Sequence, residues 1–263
     1  MSYRPIQHYR GNEADLPQLM AGEIAVVTDT KKLFFGAGGN QEVARVGDAP
    51  TMTTATIDYY VALDGSDETG DGTESRPFKT IQHSFDTIPD FIQNRIRVIL
   101  SEGTYLEVAV LRNKFGGAIV LDSPDDVLIK GGLLISKCMS AVQISHVSSA
   151  RTDSASGIID YGAIKSEGSL NVSFDSIKID GTGISNQAGL NIVTSRASII
   201  NSQISNTDRA LSCGINSSVY SGNNTGTGNK LGLWAERNTT IGKIGTQPAG
   251  TTAEYADGSS EIR

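Results

Sequence analysis

Aromatic side chains are scarce in this sequence: they make up 6% of 263 residues, with a single tryptophan. A core of any size must therefore be filled by aliphatic side chains. Cysteine is nearly missing. Cys138 and Cys213 stand 75 residues apart, each within an apolar–polar alternation, so two buried free thiols are expected rather than a disulfide. His8, His83 and His146 are isolated, and no Cys/His spacing suits zinc. The net charge is −7 and no block of lysine or arginine stands out. Binding to phosphate backbones needs clustered cations, which argues against a nucleic-acid partner. No apolar run approaches the length of a membrane span, and no charged-then-apolar leader opens the chain, so neither membrane insertion nor signal-directed export is expected. No motif implies a metal or an organic cofactor.

What is present is repetition. Glycine numbers 29, which suits many tight turns, and from Ser169 to Gly245 short apolar runs recur between stretches of Asn, Ser, Thr, Gly and Asp. Leu170, Ile199, Val219 and Ile241 form one apolar column with steps of 29, 20 and 22 residues. Leu190, Leu211 and Leu233 form a second, eight to nine residues upstream of its members. A period of this size marks a solenoid. Alternating Ile, Val and Leu without a helical period make it a β solenoid. Each coil is one rung, and stacking rungs buries a continuous core that no single rung closes.

The first 46 residues read differently. Residues 6–11 suggest a short strand closed by a glycine, and residues 12–20, polar with Pro17, a turn or one helical turn. Ile24-Ala25-Val26-Val27 and Lys32-Leu33-Phe34-Phe35 are two strands joined by Thr28-Asp29-Thr30-Lys31 as a hairpin. Such a unit is too small for an independent core, so it is expected to fold against copies of itself or another protein. Arg10-Gly11, Ala21-Gly22-Glu23-Ile24, Thr28-Asp29-Thr30-Lys31-Lys32-Leu33 and residues 36–39 resemble, in that order, the N-terminal module of bacteriophage tail fibre and tailspike proteins. The resemblance implies a trimeric module that joins the fibre to the virion, through a tail or baseplate protein, or to the next fibre segment, with Arg10, Gly22, Thr28, Asp29, Lys32 and Leu33 in the attachment region.

Residues 47–58, with Pro50 and a run of Thr, Ala and Met, read as a linker. The solenoid is expected over residues 59–245. Its entry combines Tyr60-Val61-Ala62-Leu63 running into an acidic turn, a helix of about three turns carrying Ile81, Phe85 and Ile88 on one face, and the strand Arg97-Val98-Ile99-Leu100. This combination resembles the opening of pectate-lyase-like right-handed parallel β-helices, in which such a helix caps the first rung. The cap protects an edge that would otherwise recruit strands. Asp64, Asp67, Glu68 and Asp71 lack the loop pattern of an EF-hand and are read as that surface turn. Further on, residues 148–156 suggest a polar loop, Ile158-Ile159-Asp160-Tyr161 a strand, and residues 181–187 an insertion. Four Asn-x-Ser/Thr triplets, at Asn171, Asn216, Asn223 and Asn238, are attributed to turn chemistry rather than glycosylation. Residues 246–263 are expected to form a C-terminal cover or a strand arrangement shared between copies.

The fold class is thus all-β: a right-handed parallel β-helix with a small N-terminal β-hairpin module and a short capping helix. An enzyme on this fold would act on a polysaccharide, through paired carboxylates or a calcium-assisted lyase site. Asp175 with Asp180, and Asp208 with Glu236, are the pairs that would have to converge, and nothing in their local sequence says that they do. Sugar recognition favours aromatic faces. Trp234, pointing outward beside Glu236 and Arg237 while Leu233 points inward, is either an anchor for a glycan or a protein partner or a packing contact with a neighbouring chain of a trimer; Tyr220 and Tyr161 are the further aromatic candidates. The reading is a homotrimeric phage fibre protein, acting on the virion outside the host cell, that binds a host cell-surface polysaccharide without cutting it. A depolymerase tailspike and a purely structural fibre segment are the alternatives.

Overall fold

The computed structural model describes residues 8–21, 23–36, 39–45, 53, 55–124, 126–150, 162–182 and 187–263. The chain divides into two compact units, Met1–Thr51 and Met52–Arg263.

In the first unit His8–Gly11, Ile24–Val27, Lys32–Gly36 and Asn40–Arg45 lie in that order in one sheet. The first pair is parallel and the other two are antiparallel. The hairpin is where the sequence puts it, and a 3-10 turn at Glu13–Asp15 supplies the helical turn. The fourth strand is absent from the sequence reading because Gln41 and Glu42 break any apolar alternation. Ala25, Val27, Phe34 and Leu19 are buried together, with Tyr9 and Leu16 packed against them. Gly36 is obligatory: a Cβ there would sit 2.0 Å from the carbonyl oxygen of Met20. The opposite face is apolar and open, with Val26 and Phe35 both exposed beside half-buried Ile24 and Leu33.

The second unit is a parallel β solenoid of about seven coils. Each coil contributes strands to three sheets, of seven, nine and five strands. One coil shows the plan: Leu133–Ser136 in the seven-stranded sheet, Ala141–Ser145 in the nine-stranded sheet, Val147–Ser149 in the five-stranded sheet. Left-handed residues make two of the three corners, singly or, at Ile215-Asn216 and Arg237-Asn238, in pairs. Lys137, Thr194, Asn216 and Asn238 turn the chain from the seven- to the nine-stranded sheet; His146, Ser176, Asn201 and Asn223 turn it into the five-stranded sheet. Asparagine tolerates this conformation better than most residues, which accounts for three of the four glycosylation-like triplets. The third connection, back to the seven-stranded sheet, absorbs the changes in spacing. It holds residues 150–161 in one coil, 181–187 in the next and only 206–208 in the one after.

Register corrects one of the two apolar columns. Leu190, Leu211 and Leu233 do stack, above Ala109, Leu133 and Ile164. The other column is Ile119, Val142, Val172, Ala197, Val219, Ile241 and Ile262. Leu170 is 54% exposed and Ile199 pairs with Ser221, so both were misplaced by two residues. For Ile199 the slip runs along the strand, where two residues leave the same face inward; Leu170 precedes its strand and falls on the corner. Phe174 and Ile199 are buried in the neighbouring column. Cys138 and Cys213 are free and buried, and burial pushes the Cys213 thiol up.

Buried polar side chains stitch the corners together. The backbone N–H of Cys138 donates to Ser169 Oγ, that of Ser169 to Ser195 Oγ, that of Ser195 to Ser217 Oγ and that of Ser217 to Thr239 Oγ1, at 3.1–3.4 Å. Asn224 and Asn229 do the same at the other two corners, each accepting from the coil before. These hydroxyls and amides satisfy N–H groups that the strands leave unpaired where the chain turns.

The helix runs only from Ile81 to Thr87, two turns instead of three. Ile88 is extended (φ −66°, ψ 123°) because Pro89 follows it. Thr80 caps the first turn through His83 N–H, and the Glu107 carboxylate accepts from Ile81 N–H and Gln82 N–H at 2.7 and 2.9 Å. Ile81, Phe85 and Ile88 join the solenoid core. Asp67 accepts from Lys79 N–H, Thr80 N–H and Thr80 Oγ1. Burial pushes its carboxyl up, but these bonds outweigh that and hold it below its ordinary value. The acidic turn is thus a structural clamp. Val147–Ser149 is a strand rather than the start of the expected polar loop; residues 151–161, including the expected strand ending at Tyr161, lie outside the described residues.

At the far end Gly250–Ala256 and Glu261–Ile262 extend the seven- and nine-stranded sheets. Here the core columns turn polar. Glu254 follows Leu233, and Lys243 follows Ser221, and the two side chains form an ion pair across the end of the core. Among the described residues no helix is long and apolar enough to cross a membrane.

Candidate functional site

The carboxylates singled out by sequence are spread over the solenoid. Asp175 ends a strand of the nine-stranded sheet and accepts from Ser176 Oγ (3.0 Å) and Asn201 Nδ2 (3.2 Å). Asp180 ends the next strand, in the five-stranded sheet, and accepts from Thr182 and from Asn206 Nδ2. These bonds, the Thr182 hydroxyl first, hold its carboxyl below the ordinary value, the opposite of what a general acid requires. Asp208 forms an ion pair with Lys230 just before the strand Arg209–Gly214. Glu236 faces Gly214 at the other end of that strand, beside Arg237. Six residues of strand put Asp208 and Glu236 about 20 Å apart, too far to flank one glycosidic bond.

Trp234 points outward, as its alternation with buried Leu233 requires, yet it is not an open platform. Tyr255 of the next coil stacks on it, with ring centroids 4.1 Å apart and planes 19° from parallel, and the Arg209 guanidinium lies 4.2 Å from its ring centroid. The exposed aromatic of this stack is Tyr255, 41% exposed, which the sequence reading missed because its partner lies 21 residues away. Arg237 is a corner residue whose N–H donates to Asp257 Oδ2 at 2.8 Å. That bond is the main cause of the Asp257 carboxyl falling to about 2. Tyr220, half exposed, lines a shallow groove of about 380 Å³ over the nine-stranded sheet with Asn171, Arg196, Ser198, Thr240 and Arg263. Tyr161 and Gly22 lie outside the described residues.

Of the residues expected in the attachment region, Thr28, Asp29 and Lys32 form a tight local cluster. The Thr28 N–H and hydroxyl both donate to the Gly11 carbonyl. Asp29 Oδ1 accepts from Glu13 N–H, Thr30 Oγ1 donates to Glu13 Oε2 and Lys32 Nζ to Glu13 Oε1. The Lys32 bond, then that from Thr30, lowers the Glu13 carboxyl below its ordinary value. The hairpin turn is thereby tied to the 3-10 segment; Arg10 is exposed, and Leu33 is half-buried on the outer sheet face.

One further surface was not legible. Phe91, Phe115, Met139 and Leu170 are exposed by 38–55% and follow one another on successive coils. Phe91 bridges and stacks on Phe115, Met139 N–H bonds to the Lys114 carbonyl and Leu170 N–H to that of Cys138. They form an apolar stripe on the corner between the seven- and nine-stranded sheets. The misplaced Leu170 belongs here.

Comparison with known proteins adds one positive result. No curated protein and no solved structure matches the chain. Residues 6–39 match the family described as major tropism determinant N-terminal domain. The match covers part of the first unit; that unit and the β solenoid that follows it fit a virion-associated phage tail fibre bearing a β-helix.

Proposed function

We propose that this protein is a receptor-binding tail fibre: a homotrimer whose first unit docks on a phage tail or baseplate protein and whose β-helix grips a host cell-surface polysaccharide without cleaving it. The observation that carries the reading is the tropism-determinant match over residues 6–39. Trimerisation is supported by two open apolar surfaces, the sheet face of Val26 and Phe35 and the stripe of Phe91, Phe115, Met139 and Leu170. Patches of this kind mark association sites. Three copies also multiply weak sugar contacts into useful avidity. Binding without cleavage is favoured by the separation of Asp208 from Glu236 and by the local bonding of Asp175 and Asp180. The coil of three parallel sheets with a helix at its entry supports a pectate-lyase-like type of β-helix.

Light scattering after size exclusion tests the assembly. The expected native mass is three times that of one chain, and a monomer overturns it. Incubation with the purified surface polysaccharide of the host, followed by sizing of the glycan, tests the activity. Retention of glycan length with measurable binding is expected; shortening of the glycan would establish a depolymerase, and failure to bind any host surface would leave a structural segment.

A further inference from the structure

The outer face of the five-stranded sheet carries a polar trough that none of the sequence candidates except Asp180 belongs to. Register places Thr104, Leu128, Ser148, Lys178, Gln203 and Thr225 in one outward row, one residue per coil. Two cavities of about 720 and 390 Å³ lie along this row, and both are lined by Ser148 and Lys178. The first reaches back to Glu102, Asp122, Asp126 and His146, where His146 Nδ1 sits 2.8 Å from Asp122 Oδ1. The second continues past Asp180, Gln203, Ser205 and Asn206. The row covers five steps of about 4.8 Å, or about 24 Å along the coil axis.

We propose that this trough is the polysaccharide site: an extended glycan lies along the coil axis, held by hydroxyl, amide and ammonium donors without aromatic stacking, and the acidic end at Glu102, Asp122 and Asp126 turns away polyanionic chains. The inference rests on the receptor-binding reading above. Three observations carry it. The rung spacing is close to the length of one sugar unit, so successive rungs present Thr104, Ser148, Lys178, Gln203 and Thr225, interrupted once by Leu128, to successive sugars. Serine, lysine, aspartate and glutamate dominate the lining, and these residues are depleted where protein interfaces bury their cores. The apolar stripe, by contrast, lies on the corner between the other two sheets. In a three-sided coil that corner is opposite the five-stranded sheet, so copies packed through the stripe leave the trough facing outward.

The test uses the fluorescein-labelled full chain on whole host cells, with and without periodate oxidation of surface sugars. Ser148→Trp and Gln203→Trp each fill the trough from an outward position, and Ser198→Trp fills the Tyr220 groove as a control. Loss of binding by roughly tenfold or more in both trough variants, with native mass unchanged and the control unaffected, is expected. Alginate, a polyuronate, is expected not to compete. Wild-type binding by both trough variants overturns the site while leaving glycan binding intact. So does a loss confined to Ser198→Trp, a fall in native mass of the trough variants, or competition by alginate. Wild-type binding that survives periodate overturns the glycan reading itself, and the site with it.

Discussion

Replacing Asn229 by alanine should unfasten three coils at once. The side chain is 4% exposed. Its Oδ1 accepts from Thr207 N–H (3.1 Å) and Thr207 Oγ1 (2.8 Å), and its Nδ2 donates to the carbonyls of Ile204 and Ala249, both at 2.9 Å. Alanine leaves the buried Thr207 N–H without its acceptor and removes a donor from each carbonyl. A stranded buried group costs about 1–3 kcal/mol and each lost bond about 1 kcal/mol, so Asn229→Ala is expected to cost about 3–5 kcal/mol. Asn206 is the control: its exposed Nδ2 donates to Asp180 and its backbone is left-handed (φ 58°), so Asn206→Ala should cost about 1–2 kcal/mol, mostly from that strain. Urea unfolding at a fixed protein concentration reads the difference. Stacked coils need not unfold together, so hydrogen exchange at the Thr207 amide supplies the local measurement: its protection should collapse in Asn229→Ala alone. A cost below about 1 kcal/mol, or equal costs for the two variants, would refute the idea that buried amides fasten the corners.

Other expectations follow from the same packing. Phe174 is fully buried, and Phe174→Ala should cost about 3–5 kcal/mol through the cavity it leaves, measured as a lowered urea midpoint. Tyr105 donates to the carbonyls of Val61 and Ser101 at 3.1 and 3.0 Å, and burial pushes its hydroxyl up to about 12. A raised pKa adds stability that is complete below the ordinary value of about 10 and is lost as pH climbs to about 12. Tyr105→Phe should therefore lower stability at pH 8 by about 1–2 kcal/mol and flatten the fall between pH 10 and 12. Lys243 and Glu254 end the core in an ion pair; the double variant Lys243→Leu/Glu254→Leu should leave an apolar end that associates, seen as a native mass above that of the parent.

The part of the fold that could be read from sequence is the part in which one residue type repeats. Leu190, Leu211 and Leu233 are invariant in type and stack as expected. Where the inward residue changes from Val172 to Ala197 to Val219, a stronger hydrophobe two places away captured the pattern, and Leu170 and Ile199 were misassigned. The corner ladder of Ser169, Ser195, Ser217 and Thr239 was hidden because buried serine and surface serine look alike in sequence. The surroundings of the candidate site were hidden for a related reason. Trp234 was correctly turned outward, but the ring that covers it, Tyr255, and the cation beside it, Arg209, come from other coils. The trough row, from Thr104 to Thr225, is assembled from residues 20 to 30 positions apart, so no local motif announces it.

Competition for phage adsorption tests the central claim most directly. Host cells are incubated with rising concentrations of the purified chain, and the adsorption of virions that carry it is then counted. A saturable fall in adsorption is expected, with half-inhibition at the concentration that half-covers the cells with labelled protein. Adsorption that stays unchanged on cells fully coated with the protein would contradict a receptor-binding role.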